Sequence, residues 1–408
     1  MKTIVFIETN KSGSSREAIQ AAERLGFFTV LLTNKRRFID QRTEFPDVHQ
    51  MIVVEIFDYD QLRKKIIKLK KQGKQIKGIL SFIDPFVHVA ASLSEEFCPG
   101  VVSAVPIKKM EDKVLTREIL KDLPITPRYA IYSPNQSLEG FINKINKKFL
   151  PLIVKSPLSS GSKDVLLAKD EYQLKRSMQF LLEKYEKNPV LLEEFLTGPQ
   201  YLIEALVHNG NVHIVAIIEQ EITFFQRFIV TGYCLLADPD RDFYNKIYET
   251  VSSILQAFEM KNGACHLEMR LVQGEWKLIE INPRISGGAM NQIIEAAYGI
   301  NLVEETIQLF LGNKPRLIKK HNKYAYAHYL TINSKGKLLK VTGKKRCSQY
   351  PGVEKVYIKP RKGQILRPPL SMGDRYGYIL TSSDDKEEAK RIAMEAKREL
   401  RFFLEDLE

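Results

Sequence analysis

The sequence predicts a multidomain chain, α/β at its start and α+β beyond, on three observations. With 408 residues the chain exceeds what one hydrophobic core organises, so about two to four domains or subdomains are expected. Its first hundred residues alternate strand-like and helix-like patterns, as parallel strands with crossover helices do. From about residue 149, apolar–polar alternation broken by short Asn/Gly turns takes over, the mark of antiparallel hairpins.

The elements follow in order. TIVFIE (3–8) reads as a strand, SREAIQAAERLG (15–26) as a helix and FFTVLLT (27–33) as a second strand. MIVVEIF (51–57), a lysine-rich helix and GILSFI (78–83) continue the alternation, with a helix near 86–95. Together they argue a small parallel, Rossmann-like sheet over residues 1–100. The first turn, TNKSGSS, lacks the G-x-G-x-x-G spacing, so a dinucleotide site is poorly supported. A helical segment, MEDKVLTREILKDL, ends at PITP. FLPLIVKSPLSSGSKDVLLA (149–168) then leads through a helix near 170–186 to VLLEEFLTGPQYLIEALVHNGNVHIVAIIEQ (190–220), a hairpin turning at HNGN. A helix near 243–260 precedes strands ACHLEMRLV (264–272) and EWKLIEI (275–281), joined at QG. Two helices, through MNQIIEAAYG and LVEETIQLFLG, close this unit by about 312. After a basic spacer, strand patterns recur around 325–332, 353–358 and 376–381. The chain is expected to finish in one helix, KEEAKRIAMEAKRELRFFL.

Composition narrows the function. The chain is 44% apolar and 27% charged, as a globular soluble protein is, and no apolar run approaches the roughly 20 residues a membrane span needs. MKTIVFIETNKSG turns polar too soon for a signal peptide and reads as a first strand. Cys98, Cys234, Cys265 and Cys347 are scattered, without zinc or disulfide spacing, which suits a reducing cytoplasm. The net charge of +13 admits nucleic acid, a membrane surface or an anionic small molecule. The densest run, RKKIIKLKKQGK, carries Leu62, Ile66, Ile67 and Leu69 at helical spacing and so reads as a solvated helix face rather than a polyanion patch. Handling nucleotides explains the charge without nucleic acid.

Four segments carry chemistry. In LIEINPRISGG (278–288), strand alternation puts Glu280, Asn282 and Arg284 on one face, and pairing across the QG turn brings Glu268 near Glu280. Two carboxylates and an amide oxygen form a hard, all-oxygen set suited to magnesium. Exposed strand carboxylates paired with Lys277 and Arg270 would read the same way. KSPLSSGSKDV (155–165) combines small residues, whose backbone N–H groups can approach phosphate, with Lys155 and Lys163, though without Walker spacing. VLLEEFLTG (190–198) could offer backbone and carboxylate groups to an adenine edge. Asp112-Lys113, with Arg117 one turn on, is by itself an ion-rich helix start.

In this order and at these intervals the four segments resemble the ATP-grasp superfamily of carboxylate–amine ligases, along nearly the whole chain. The resemblance implies a Rossmann-like N-terminal domain (1–100), an ATP-grasp unit (101–312) with a lid subdomain at about 126–192, and a biotin-carboxylase-like C-terminal domain (313–408). It implies ATP contacts at Lys113, Lys155, the loop Ser160, Gly161, Ser162 and Lys163, and the linker Glu193, Glu194, Phe195 and Leu196. Glu268, Glu280 and Asn282 match the family's Mg2+ ligands, where Mn2+ could substitute, and Arg284 the arginine beside the transferred phosphoryl group. A ribose-binding glutamate is common seven residues after the linker glutamate; here Gln200 stands there. Biotin carboxylases follow their arginine with a glutamate–histidine segment; ISGGAMNQ replaces it here, which disfavours carboxylation.

Among ATP-grasp members the chain looks most like the bacterial L-amino-acid ligases, an arginine-specific one included. Free amino acids would then be the substrates, joined through an aminoacyl phosphate with release of ADP and phosphate. No nucleic-acid or membrane partner is implied, and a homodimer is compatible with the family. The backbone N–H groups of Gly287 and Gly288 would bind a substrate carboxylate or the tetrahedral oxyanion. An arginine substrate needs an acidic counter-ion. Asp374 in SMGDRYG is the first candidate and Asp84 in SFIDPF another, with Asp238 and Asp240 behind them. The rival readings are another ATP-grasp ligase or carboxylase, of purine-pathway or biotin-carboxylase type, and a basic nucleic-acid-binding protein with a vestigial ATP site.

Overall fold

The protein is described by a computed structural model covering residues 1–98, 100, 102–145, 147–157, 164–225 and 228–406. The sheets below are those formed among these residues. The opening alternation folds as β1 (Lys2–Ile7), β2 (Phe28–Thr33), β3 (Gln50–Val53) and β4 (Gln75–Leu80), a parallel sheet in the order β3-β2-β1-β4. The lysine-rich segment is the helix Tyr59–Lys71, capped by Asp58. Leu62, Ile66 and Leu69 are buried under the sheet while the lysines point outward.

A second sheet, wholly antiparallel, holds β5 (Tyr129–Tyr132), β6 (Leu152–Lys155), β7 (Val165–Ala168) and β8 (Val190–Glu194) in the order β5-β8-β6-β7. The helix Glu171–Lys184 buries Leu174, Met178 and Leu181 against it.

The largest sheet begins with β9 (Gln200–His208), β10 (Asn211–Phe224), β11 (Phe228–Leu235), β12 (Gly263–Val272) and β13 (Glu275–Asn282). The β9–β10 turn is Asn209-Gly210, both at positive φ (52° and 79°), the backbone a tight two-residue hairpin demands. The final segment adds β14 (Tyr324–Tyr329), β15 (Gly336–Thr342), β16 (Val353–Ile358), β17 (Ile365–Leu366), β18 (Gly377–Ser383) and β19 (Arg401–Glu405). Three of these extend the large sheet, whose order is β13-β12-β9-β10-β11-β14-β18-β16, so it draws strands from both sides of position 312. The other three form a small sheet, β17-β15-β19.

The single terminal helix expected from the sequence is corrected here. It stops at Lys397, and RFFLE becomes β19, antiparallel to β15. Phe402 and Leu404 alternate onto the small core around Leu338 and Leu366, and that burial overrides the helical reading of the segment.

Candidate functional site

Alternation explains how the site is built. On β9 and β12 the odd residues Ile203, Ala205, Cys265, Leu267 and Met269 are fully buried in one core, which leaves the even residues to the opposite face. The polar members of that face include Gln200, Glu204, His266, Glu268 and Arg270, and β13 adds Glu280 and Asn282 beside them. The ladder pairs Glu268 with Glu280 and His266 with Asn282 directly across the strands. Beyond Glu268 the register slips by one at Ile279, which returns Leu278 to the core.

Neither carboxylate pairs with the two cations that a purely structural role would use. Lys277 instead donates to the Pro124 carbonyl at 2.5 Å. Arg270 donates to the Leu196 carbonyl at 2.7 Å and to Gln200 Oε1 at 2.5 Å. Glu280 lies 3.6 Å from Lys113 Nζ, at the start of the helix Lys113–Ile119 that Asp112 caps. Glu268 accepts from Gln200 Nε2 at 3.3 Å and sits 3.8 Å from His266 Nε2. Two facing carboxylates with Asn282 beside them make a hard oxygen set, and like charges so close call for a cation. The donor set therefore fits magnesium. Among the described residues no three His, Cys, Asp or Glu side chains form a complete metal cage, so phosphates and water would complete the shell.

Above this face lies the second sheet. Lys155, at the end of β6, pairs with Glu193 of β8 at 2.7 Å, and both are buried. Arg117, 2% exposed, binds Glu193 Oε1 through Nε at 2.6 Å and the carbonyl of Ile279 through Nη2 at 2.7 Å. A cavity opens among Lys113, Arg117, Lys155, Glu193 and Glu280. Burial would raise the Glu193 carboxyl, but the Arg117 and Lys155 charges overcome it and hold it at about 2. Burial pushes the Lys155 ammonium down despite the pull of Glu193. Glu194 turns outward to Arg128, at 2.8 Å, and the Phe195 amide donates to the Pro151 carbonyl. Gln200 has both ends of its amide engaged, by Arg270 and Glu268. Ser160, Gly161, Ser162 and Lys163 lie outside the described residues.

At the far end of β13 the chain turns through Arg284 to Gly287 and Gly288, both exposed. Arg284 Nε donates to Asp84 Oδ1 at 2.9 Å, and Asp84 comes from the loop after β4. Burial works against the guanidinium charge, and the Asp84 carboxylate outweighs it. Gly288 has φ +70°, which glycine alone adopts readily, whereas a Cβ on Gly287 would meet nothing within 4 Å and would only fill open space. Asp374 does not face this cleft. Its Oδ2 accepts from the Leu370 and Ser371 amides in a capping box, and its Oδ1 accepts from Arg367 at 3.0 Å. Asp84 and Asp374 thus both arrive with a cation of this chain already beside them. Asp240 caps the helix Arg241–Ala257, and Asp238 is exposed.

Three residues were not singled out from the sequence as members of the site. Arg117 was visible as part of a helix start, but its partner Glu193 is 76 positions away. Glu204 is fully buried, accepts from His266 Nδ1 at 2.7 Å and from the Ser286 amide at 3.2 Å, and so links the carboxylate face to the glycine turn. Burial would lower the His266 imidazole, but Glu204 and Glu268 more than offset it and hold it at about 9. The signal for both was present: acidic and imidazole side chains at inward-alternating positions of strands that are otherwise apolar.

Comparison with known proteins adds the following. Residues 19–97 match the model of the ATP-grasp N-terminal domain, 148–292 that of the ATP-grasp domain, and 328–405 that of the L-amino acid ligase C-terminal domain 2. An uncharacterized protein of Sinorhizobium fredii is 24% identical over 97% of this chain and 81% of its own length. The L-arginine-specific L-amino acid ligase of Bacillus subtilis is 24% identical over 78% of this chain and 78% of its own. The crystal structure of the L-amino acid ligase from Bacillus licheniformis superposes with a TM-score of 0.83 at 22% identity, covering 100% of this chain and 99% of that one, a shared fold.

Proposed function

We propose, from a chain that carries an ATP-grasp domain between its N-terminal companion and an L-amino acid ligase C-terminal domain, that the protein is an ADP-forming ligase joining two free L-amino acids, with L-arginine the first substrate its relatives suggest. The observation that carries this reading is the continuity of β13. It presents Glu280 opposite Glu268 of β12, then Asn282, Arg284 and the glycine turn, in the order phosphate, acyl group and acceptor would need.

The first chemical step brings two anions together, because a carboxylate oxygen must attack the γ-phosphorus of ATP. A magnesium ion held by Glu268, Glu280 and Asn282 would supply charge compensation on the phosphate oxygens. Lys113 and Lys155 add fixed positive charge on the cavity side, and Lys155 is kept in place by Glu193. Arg284, steadied by Asp84, faces the transferred group. In the second step the acceptor nitrogen attacks the acyl carbon, the C–N bond forms as the C–O bond to phosphate breaks, and the nitrogen loses a proton. The amides of Gly287 and Gly288 are the donors available to the oxyanion that develops.

Phosphate release from ATP, screened across pairs of the amino acids with bicarbonate and nucleotide precursors as separate arms, tests this reading. Release that requires two amino acids, highest where arginine is one of them, is expected. Release stimulated by bicarbonate alone would overturn it.

A further inference from the structure

The turn SMGDRYG was read from the sequence as a source of negative charge for the site, through Asp374. In the fold the next residue lies against the tyrosine that backs the glycine turn. Asp374 is folded back into its own capping box, while Arg375 stacks its guanidinium on the Tyr329 ring, 3.9 Å from the centroid. That ring is fixed to the glycine turn. The Tyr329 hydroxyl accepts from the backbone of Ala289 and lies 3.5 Å from where a Cβ on Gly288 would stand. Tyr233 and Tyr378 pack against Tyr329 edge-on, at 5.5 and 5.9 Å between centroids, so the platform cannot swing away.

Arg375 donates to two carbonyls, Met372 at 3.2 Å and Val230 at 3.5 Å, and among the described residues no carboxylate pairs with it. Of the other arginines of the site, Arg117 is paired with Glu193 and Arg284 with Asp84, while Arg270, also without a carboxylate partner, is held by the Leu196 carbonyl and the Gln200 amide oxygen. A half-buried guanidinium held on an aromatic face without a counter-ion is a receptor for an anion.

A ligase that joins two amino acids must handle two carboxylates. One is activated at the phosphoryl end of the cleft; the other, on the acceptor, passes through the reaction unchanged and still needs a counter-charge. We infer that Arg375 binds the α-carboxylate of the acceptor amino acid, beside the Gly287-Gly288 turn. This assignment rests on the ligase reading above. It makes the acceptor subsite selective for a free amino acid over an amine or an amino-acid amide.

The test separates the two carboxylates with hydroxylamine, an acceptor that carries none, which traps an acyl phosphate as a hydroxamate with release of phosphate. In Arg375→Ala the KM for the acceptor amino acid should rise by about 10²-fold, from loss of one charge-assisted pair. Hydroxamate formation should fall far less, and Arg375→Lys should recover part of the peptide-forming rate. Preference for a free amino acid over its amide should disappear in Arg375→Ala. Equal losses with amino acid and hydroxylamine would overturn the assignment, as would an unchanged acceptor KM, and either would leave the ligase reading standing. No amino-acid-dependent hydroxamate from the unaltered protein would overturn the ligase reading itself, and this assignment with it.

Discussion

Glu280 lies 3.6 Å from Lys113 and directly opposite Glu268, a position that suits the proposed magnesium ligand. Its side chain is about a quarter exposed, so its neutralisation costs the fold little. Glu280→Gln keeps the shape and removes one of the two facing charges. Phosphate release should fall by at least about 10²-fold, with the thermal unfolding midpoint within a few degrees of the unaltered protein. Near-normal release would remove Glu280 from the metal assignment. The place of Glu280 opposite Glu268 was legible in the sequence because it is local: alternation fixes its face and the QG turn fixes its partner. Arg117 was not, since a buried arginine differs from an exposed one only through partners brought by other elements, here Glu193 and the carbonyl of Ile279.

The strand β8 shows what an element contributes. VLLEE buries Val190 and Leu192 in the core of the second sheet, and alternation turns Leu191 and Glu193 to its other face, where Glu193 lies buried between Lys155 and Arg117. Two buried cations then depend on one carboxylate, and Arg117 ties that carboxylate to β13. Because the Glu193 carboxyl is held at about 2, below its ordinary value near 4.5, its contribution to stability is complete above pH 4.5. It is lost as pH falls through about 2. Glu193→Gln should cost about 3–5 kcal/mol near neutrality, from cations left without a partner. Urea unfolding of both proteins from pH 6 to pH 2.5 should show that difference narrowing toward acid; a difference constant across the range would sink the electrostatic account. Element boundaries were readable where a cap or a turn pair marks them, as at Asp58 and Asn209-Gly210. They were not where tertiary burial decides, as at β19, whose residues are helical by pattern and extended only because β15 lies beside them.

For the whole molecule, the glycine turn is where the parallel sheet and the large sheet meet. Gly13, at φ +81°, approaches so closely that a Cβ on it would lie 3.2 Å from the Gly288 amide nitrogen. Ser14 donates to the Ser286 carbonyl, and Asn291 donates to Ser14 Oγ at 3.0 Å and to Glu17 at 2.9 Å. TNKSGSS, which lacked the spacing of a dinucleotide loop, thus serves as a docking turn, and no pattern within it announces that use. Asp84 makes the second contact of this kind: from the loop after β4 it reaches Arg284, just beyond the end of β13. Its role distinguishes two designs. If Asp84 positions Arg284, Asp84→Asn should lower kcat by about tenfold or more for every amino acid accepted, as loss of a supporting partner does, and leave the preference among them unchanged. If Asp84 were instead the receptor for a substrate guanidinium, the same variant would lose arginine selectively and keep its rate with other substrates. The bidentate geometry toward Arg284 favours the first outcome, because an aspartate that released its own arginine to take a substrate's would leave a half-buried cation without its partner.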